Sequence, residues 1–248
     1  MTGDHPTYPN PIVTEALCEI HFRLPEGTAW KPAFYGDLFK QLEPDFPAFE
    51  PITQVGLQVV FGPGGGQAIM PSQQRMRYKH ASRNLLLQLS EKTLTVNVLS
   101  QYAGWAQMRT DILWGWEKVR AVIQPAGITR IGLRYINHIE RASADETPGA
   151  WLAASAYLPQ AVLGSLPGFL SRLETRLDAH NRLIVTLAEA SGKSDTPAIV
   201  FDIDRIVEKD IGLEAQASGD EIDQLHEAVW QVFSASLTPR LDQSMKGG

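Results

Sequence analysis

The chain has 248 residues, 44% hydrophobic and 20% charged, with one cysteine and a formal net charge of −6. That length suits one large domain or two small packed ones. No stretch nears the roughly 18 consecutive apolar residues of a membrane helix, and a lone Cys18 excludes an internal disulfide or a multi-cysteine zinc site. Residues 1–124 carry 11 basic and 11 acidic side chains while residues 125–248 carry 11 against 17, so the acidity lies in the second half and argues against non-specific binding to nucleic acid.

The opening residues lack the basic start and apolar core of a secretory signal, so a cytoplasmic location is expected, with no membrane association. Pro6, Pro9 and Pro11 punctuate this segment, which should run extended along the surface. Ala16–Arg23 then alternates, with Cys18, Ile20 and Phe22 on one face and Glu19, His21 and Arg23 on the other, the pattern of a half-buried strand. Phe34, Tyr35, Leu38, Phe39 and Leu42 recur at helical spacing, and Pro44 ends that helix. Strands are expected at Gln54–Phe61, Arg75–Ala81, Leu85–Ser90 and Thr93–Leu99, the last two joined at Glu91-Lys92.

A helix is expected over Thr110–Gln124, with Ile112, Trp116, Val119 and Ile123 on its apolar face. The longest strand pattern, Ile128–Glu140, sets Ile131, Leu133, Tyr135 and Ile139 against Arg130, Arg134 and His138. After a loop over Asp145–Gly149, a short Ala-rich helix is expected through Tyr157, then strands at Arg172–Ala179, Arg182–Ala190 and Ala198–Val207. Ser218 and Glu221 have capping-box spacing ahead of a helix bearing Ile222, Leu225, Val229, Trp230, Phe233 and Leu237. The class is therefore α+β, mainly antiparallel curved sheet with packed helices. It divides into two similar halves, 1–141 and 142–248, either separate or forming one continuous domain.

Catalytic signatures are incomplete. The glycine run Gly62–Gly66 lacks the Lys-Ser/Thr pair of a phosphate loop, and Gly192-Lys193-Ser194 lacks the upstream glycine, so both read as hairpin turns. Gly65-Gly66-Gln67 also spells the tripeptide of peptide-release factors, with no further resemblance along the chain. Asp202 and Asp204 follow an apolar run, as in haloacid-dehalogenase-like phosphatases, but only one helix-rich segment follows, so they read first as one solvated strand face. The histidines have no metal-ligand spacing, and neither a metal nor a cofactor is expected. Two basic strand faces fit bidentate anion binding, or else an ordinary solvated sheet face or ion pairs with the acidic second half. One is Arg130, Arg134 and His138; the other is Arg75, Arg77 and Lys79. Trp105, just after Tyr102, is a candidate partner contact.

At Tyr8–Phe22 (YPNPIVTEALCEIHF), Arg130–Ile139 (RIGLRYINHI) and Leu225–Leu241 (LHEAVWQVFSASLTPRL) the chain resembles a sporadically distributed bacterial family of similar length with no established activity. The resemblance spans essentially the whole chain, although members often read Pro-Asn-Pro-Pro where Ile12 follows Pro11 here. It carries over no catalytic residues.

Three functions are expected, in this order. The first is a non-catalytic protein-binding module, the neutralising or accessory member of a toxin–antitoxin or phage-defence pair, whose acidic half masks a basic protein partner. The second is a binder of a small anionic ligand held by Arg130 and Arg134, for which Arg134→Ala should abolish binding and leave the fold intact. The third is a metal-dependent phosphoester enzyme using Asp202 and Asp204. A homodimer covering a free sheet edge fits any of the three.

Overall fold

A computed structural model describes residues 5–55, 58–62, 65–69, 72–143, 145–165, 168–192 and 196–247. Alternation does produce a strand at Val13–Arg23 (β1), where Ala16, Cys18, Ile20 and Phe22 are buried and the residues between them face the other way. Helix α1 (Ala33–Leu42) buries Leu38 and Leu42 and stops ahead of Pro44. Strands β2 (Ala48–Val55), β3 (Gln58–Gly62), β4 (Gly65–Ile69), β5 (Ser72–Lys79), β6 (Leu85–Leu89) and β7 (Thr93–Leu99) follow. The strand expected at Gln54–Phe61 is thus two elements. Pro51 disguises the first, because proline donates no ladder hydrogen bond and is tolerated only where a strand lies at a sheet edge, as β2 does. The glycine run joins β3 to β4, Gly62 pairing with Gly65, with residues 63–64 outside the described residues.

Helix α2 (Trp105–Ile123) begins five residues earlier than its apolar stripe indicated and buries Met108, Ile112, Trp116, Val119 and Ile123. Burial of such side chains stabilises by about 1.5–3 kcal/mol each. Strand β8 (Gly127–Glu140) has the expected two faces. No helix forms through Tyr157. A single 3-10 turn at Pro148–Ala150 gives way to extended chain, because Ala153 N–H donates to Ser236 O and Leu152 bridges Leu237, pairing that satisfies the backbone better than an isolated short helix. Then come α3 (Gln160–Leu163), β9 (Leu170–Arg176), β10 (Asn181–Ser191), β11 (Pro197–Ile211), α4 (Ala215–Ala235) and α5 (Pro239–Lys246). Ser218 is not a cap. It lies one turn inside α4, and its hydroxyl donates back to Glu214 O and Ala215 O. Pro239 stops α4 and starts α5, with Thr238 accepting from Leu241 N–H as its N-cap.

Nine strands form one antiparallel sheet in the order β2-β5-β6-β7-β1-β8-β11-β10-β9, and β3-β4 form a separate hairpin. Apart from β2, this order is the same read from either end. A three-strand meander (β5-β6-β7 or β9-β10-β11) ends beside a long strand that precedes it in sequence, β1 or β8, and is followed by a long helix, α2 or α4. The two long strands pair at the centre, Cys18 opposite Leu133 and Ile20 opposite Ile131. The result is an α+β fold with the halves joined edge to edge. Both helices pack on one face of the sheet and meet there, Arg109 Nε donating to Asp223 at 2.8 Å. Among the described residues no helix is long and apolar enough to cross a membrane.

Candidate functional site

The two faces of this sheet differ in chemistry. On the helix side, a cleft of about 480 Å³ opens where α2, α4 and the central strands converge. Strand alternation aims Tyr135, Asn137 and Ile203 at its floor, and the spacing of His226, Val229, Trp230 and Phe233 puts them on one side of α4. Gly104, at φ +101°, turns the chain into α2 and brings Tyr102 and Trp105 to the opposite wall. The proline-rich opening segment supplies the third wall. It is pinned by Tyr8 OH donating to Asp242 (2.9 Å), by Asn10 N–H to Met245 O (3.0 Å) and by His138 N–H to Ile12 O (2.8 Å).

Aromatic contacts organise the cleft. Trp105 stacks on His226 with ring centroids 4.0 Å apart and planes at 7°, and His5 stacks on Trp230 at 4.6 Å while meeting Glu227 at 2.8 Å. The Tyr102 and Tyr135 hydroxyls share a hydrogen bond of 2.9 Å, and Asn137 Nδ2 donates to Phe201 O. Burial, reinforced by the nearby charge of His5, holds His226 down at about 4, so its ring is neutral at physiological pH. Burial likewise pushes the Tyr102 hydroxyl up to about 12 and keeps it protonated. Trp105 Nε1 and His226 Nδ1 are buried with no hydrogen-bond partner among the described residues, each at a cost of about 1–3 kcal/mol. Among the described residues no Asp, Glu, Lys or Arg lines this cleft, in a chain that is 20% charged.

The opposite face is a charge network. Arg134 donates from Nε and Nη2 to both oxygens of Asp202, at 2.8 and 2.7 Å. Arg75 donates to Glu19 (3.1 Å) and Thr95 (2.7 Å), and Arg130 reaches Glu19 (3.4 Å) and Glu208 (3.7 Å). Burial opposes the charge on Glu19. The hydrogen bond with His21 and the charges of Arg75 and Arg130 outweigh it and hold the carboxyl well below the usual range. Burial pushes Asp204 up to about 6, against the pull of Arg134 and Arg130, and no hydrogen bond reaches it among the described residues. A smaller polar cleft of about 290 Å³ on this face gathers Arg75, Arg130, Arg134 and Asp204 with Glu15 and Glu19.

The residues singled out from the sequence are thus dispersed. Arg75, Arg130, Arg134 and Asp204 meet in the polar cleft, where carboxylates face the guanidinium groups, and Asp202 stands beside them. His138 lies further along β8, opposite Val200, and Arg77 pairs with the exposed Glu50. Lys79 is exposed at the end of β5, and Trp105 is across the sheet in the apolar cleft. Among the described residues no group of three or more His, Cys, Asp and Glu is placed to hold a metal ion. The residues that sequence reasoning missed are Tyr135, Asn137, His226 and the wall from His5 to Pro11. The inward phase of Tyr135 on β8, and the place of His226 beside the apolar stripe of α4, which reads as a core-edge histidine, were the signals for them.

No protein-family model matches the chain, and no curated protein matches it. Among solved structures it is similar to the di-domain ARO/CYC StfQ from the steffimycin biosynthetic pathway, with 9% identity and a TM-score of 0.21. That match covers 88% of this chain and 94% of that one, but at so low a TM-score it adds nothing to the fold or the site described above.

Proposed function

We propose that the protein binds an uncharged, flat, largely apolar small molecule in the cleft between the central strands and helices α2 and α4. The observation that carries this reading is the lining: Tyr102, Trp105, Tyr135, His226, Trp230 and Phe233 around about 480 Å³, without one carboxylate, ammonium or guanidinium group among the described residues. That volume falls within the range of small-molecule sites, where aromatic walls supply contact area and a few polar groups fix orientation. Here the polar groups are the Tyr102 and Tyr135 hydroxyl pair and Asn137. An anionic head group would find no guanidinium or ammonium group in this cleft among the described residues, since Arg130 and Arg134 are on the other side of the sheet and His5 is already paired with Glu227.

The protein-partner reading rests on the acidity of residues 125–248, the incomplete catalytic signatures and the sporadic distribution of the family the chain resembles, and the phosphoester reading needs Asp202, whose two oxygens are already taken by Arg134. Comparing the mass of the purified protein under native and denaturing conditions tests the proposal. A small-molecule mass lost on denaturation supports it. A bare polypeptide that also fails to bind uncharged aromatic probes contradicts it.

A further inference from the structure

Strand β9 is one end of the nine-stranded sheet and, among the described residues, pairs only with β10, through a register free of bulges. None of its seven residues is buried. Four large hydrophobic side chains are exposed among the described residues, and three of them, Leu170 (75%), Leu173 (36%) and Leu177 (47%), lie on β9 or just past its end. The other sheet edge is blunted by Pro51 in β2, whereas β9 has no proline, so its outer row of backbone donors and acceptors is open to another strand.

From this we infer that β9 pairs antiparallel with β9 of a second copy of this chain, across a two-fold axis through Leu173, extending both sheets into one. The charges select the partner and the register. Leu173 lies opposite Val185 on the helix side, while Arg172, Glu174 and Arg176 share the other face with Thr186, Ile184 and Arg182. If the helix layers of both copies stay on one side, residues that face each other must share a face, so the axis passes through a residue. Centred on Leu173, the pairing sets Arg172 against Glu174 twice, Ser171 against Thr175, and Leu170 along the stem of Arg176. Centred on Glu174, it sets Glu174 on itself and Arg172 on Arg176. Centred on Arg172, it sets Arg172 on itself. Cross-strand pairs of opposite charge stabilise and like charges destabilise, so among the registers that pair five or more residues of β9 only the first is complementary. Arg172 and Glu174 are each about half exposed and pair with each other at 3.5 Å, Glu174 also accepting from Arg182 at 3.2 Å, so a second copy exchanges the long Arg172–Glu174 contact within the strand for two across the interface. A seven-residue edge makes a small interface, so association is weak and depends on concentration.

Light scattering and sedimentation over a range of protein concentration test this. The wild type should pass from monomer to dimer as concentration rises. Arg172→Glu should weaken association about tenfold by placing Glu opposite Glu174, and adding Glu174→Arg should restore it. Leu173→Cys supplies the one accessible thiol, since Cys18 is buried, and should give a disulfide-linked dimer under mild oxidation. A wild type that stays monomeric at about 1 mM, a dimer indifferent to Arg172→Glu, or a double variant that fails to recover while circular dichroism shows it folded overturns the inference.

Discussion

Replacing Asp204 by asparagine should make the protein more stable at neutral pH. Asp204 is half-buried on β11 beside the Arg134–Asp202 pair, with Arg130 and Glu19 also facing it. Burial pushes it from the ordinary 3.8 to about 6, so the folded state holds this proton more tightly than the unfolded chain does. Stability therefore falls as pH rises from about 4 to about 6 and is flat above. The whole interval corresponds to an upper bound of about 3 kcal/mol, and partial solvent access in an open polar cleft reduces this to about 1–2 kcal/mol. Asparagine keeps the shape and removes the buried charge. Thermal unfolding of both proteins at about pH 7.5 should show the variant higher by about 3–6 °C, an advantage that shrinks as pH falls through 6 towards 4. A variant less stable than wild type at neutral pH, or a difference independent of pH, would refute burial as the dominant influence on this carboxyl.

Arg134→Ala should lower the melting temperature, contrary to the sequence-based expectation of an intact fold, because it strands the buried Asp202 carboxylate. Breaking a buried pair costs about 3–5 kcal/mol, and the exposure of Arg134 reduces this to about 2 kcal/mol, which Asp202→Asn in the same chain should largely return in chemical denaturation. Gly104→Ala should cost about 1–2 kcal/mol by the same measurement. The space for a Cβ is open, so the penalty is the positive φ alone. Cys18 is fully buried and burial pushes its thiol up, so a thiol-directed chromophore should react only at the rate of unfolding, and rapid labelling of the native protein would contradict the packing of β1.

Sequence periodicity reached most of the sheet because burial on one face leaves a period of two, and in β1 and β8 the expected inward residues are the buried ones. It reached α2 and α4 for the same reason at period 3.6. It failed where a local signal had a second physical explanation. Pro51 marks an edge strand and not a break, the alanines near Trp151 pair with the end of α4, and Ser218 donates within its helix instead of capping it. The site was less legible. Arg130 and Arg134 fitted an anion site or ion pairs with the acidic second half, and the spacing could not name the partners, because Asp202, Glu19 and Glu208 come from strands far away in sequence. The cleft depends on still longer connections. It needs His5 against Trp230, and Trp105 against His226, pairs that no spacing rule links.

The central claim is the apolar cleft, and titration of an uncharged aromatic fluorophore tests it most directly, with two variants as controls. Ala106 is exposed at the rim, so Ala106→Trp should fill the cleft without disturbing the core, and Asp204→Asn alters only the opposite face. Saturable one-site binding lost in Ala106→Trp and retained in Asp204→Asn is the predicted result. Binding that survives Ala106→Trp, or that disappears in a folded Asp204→Asn, would contradict the account.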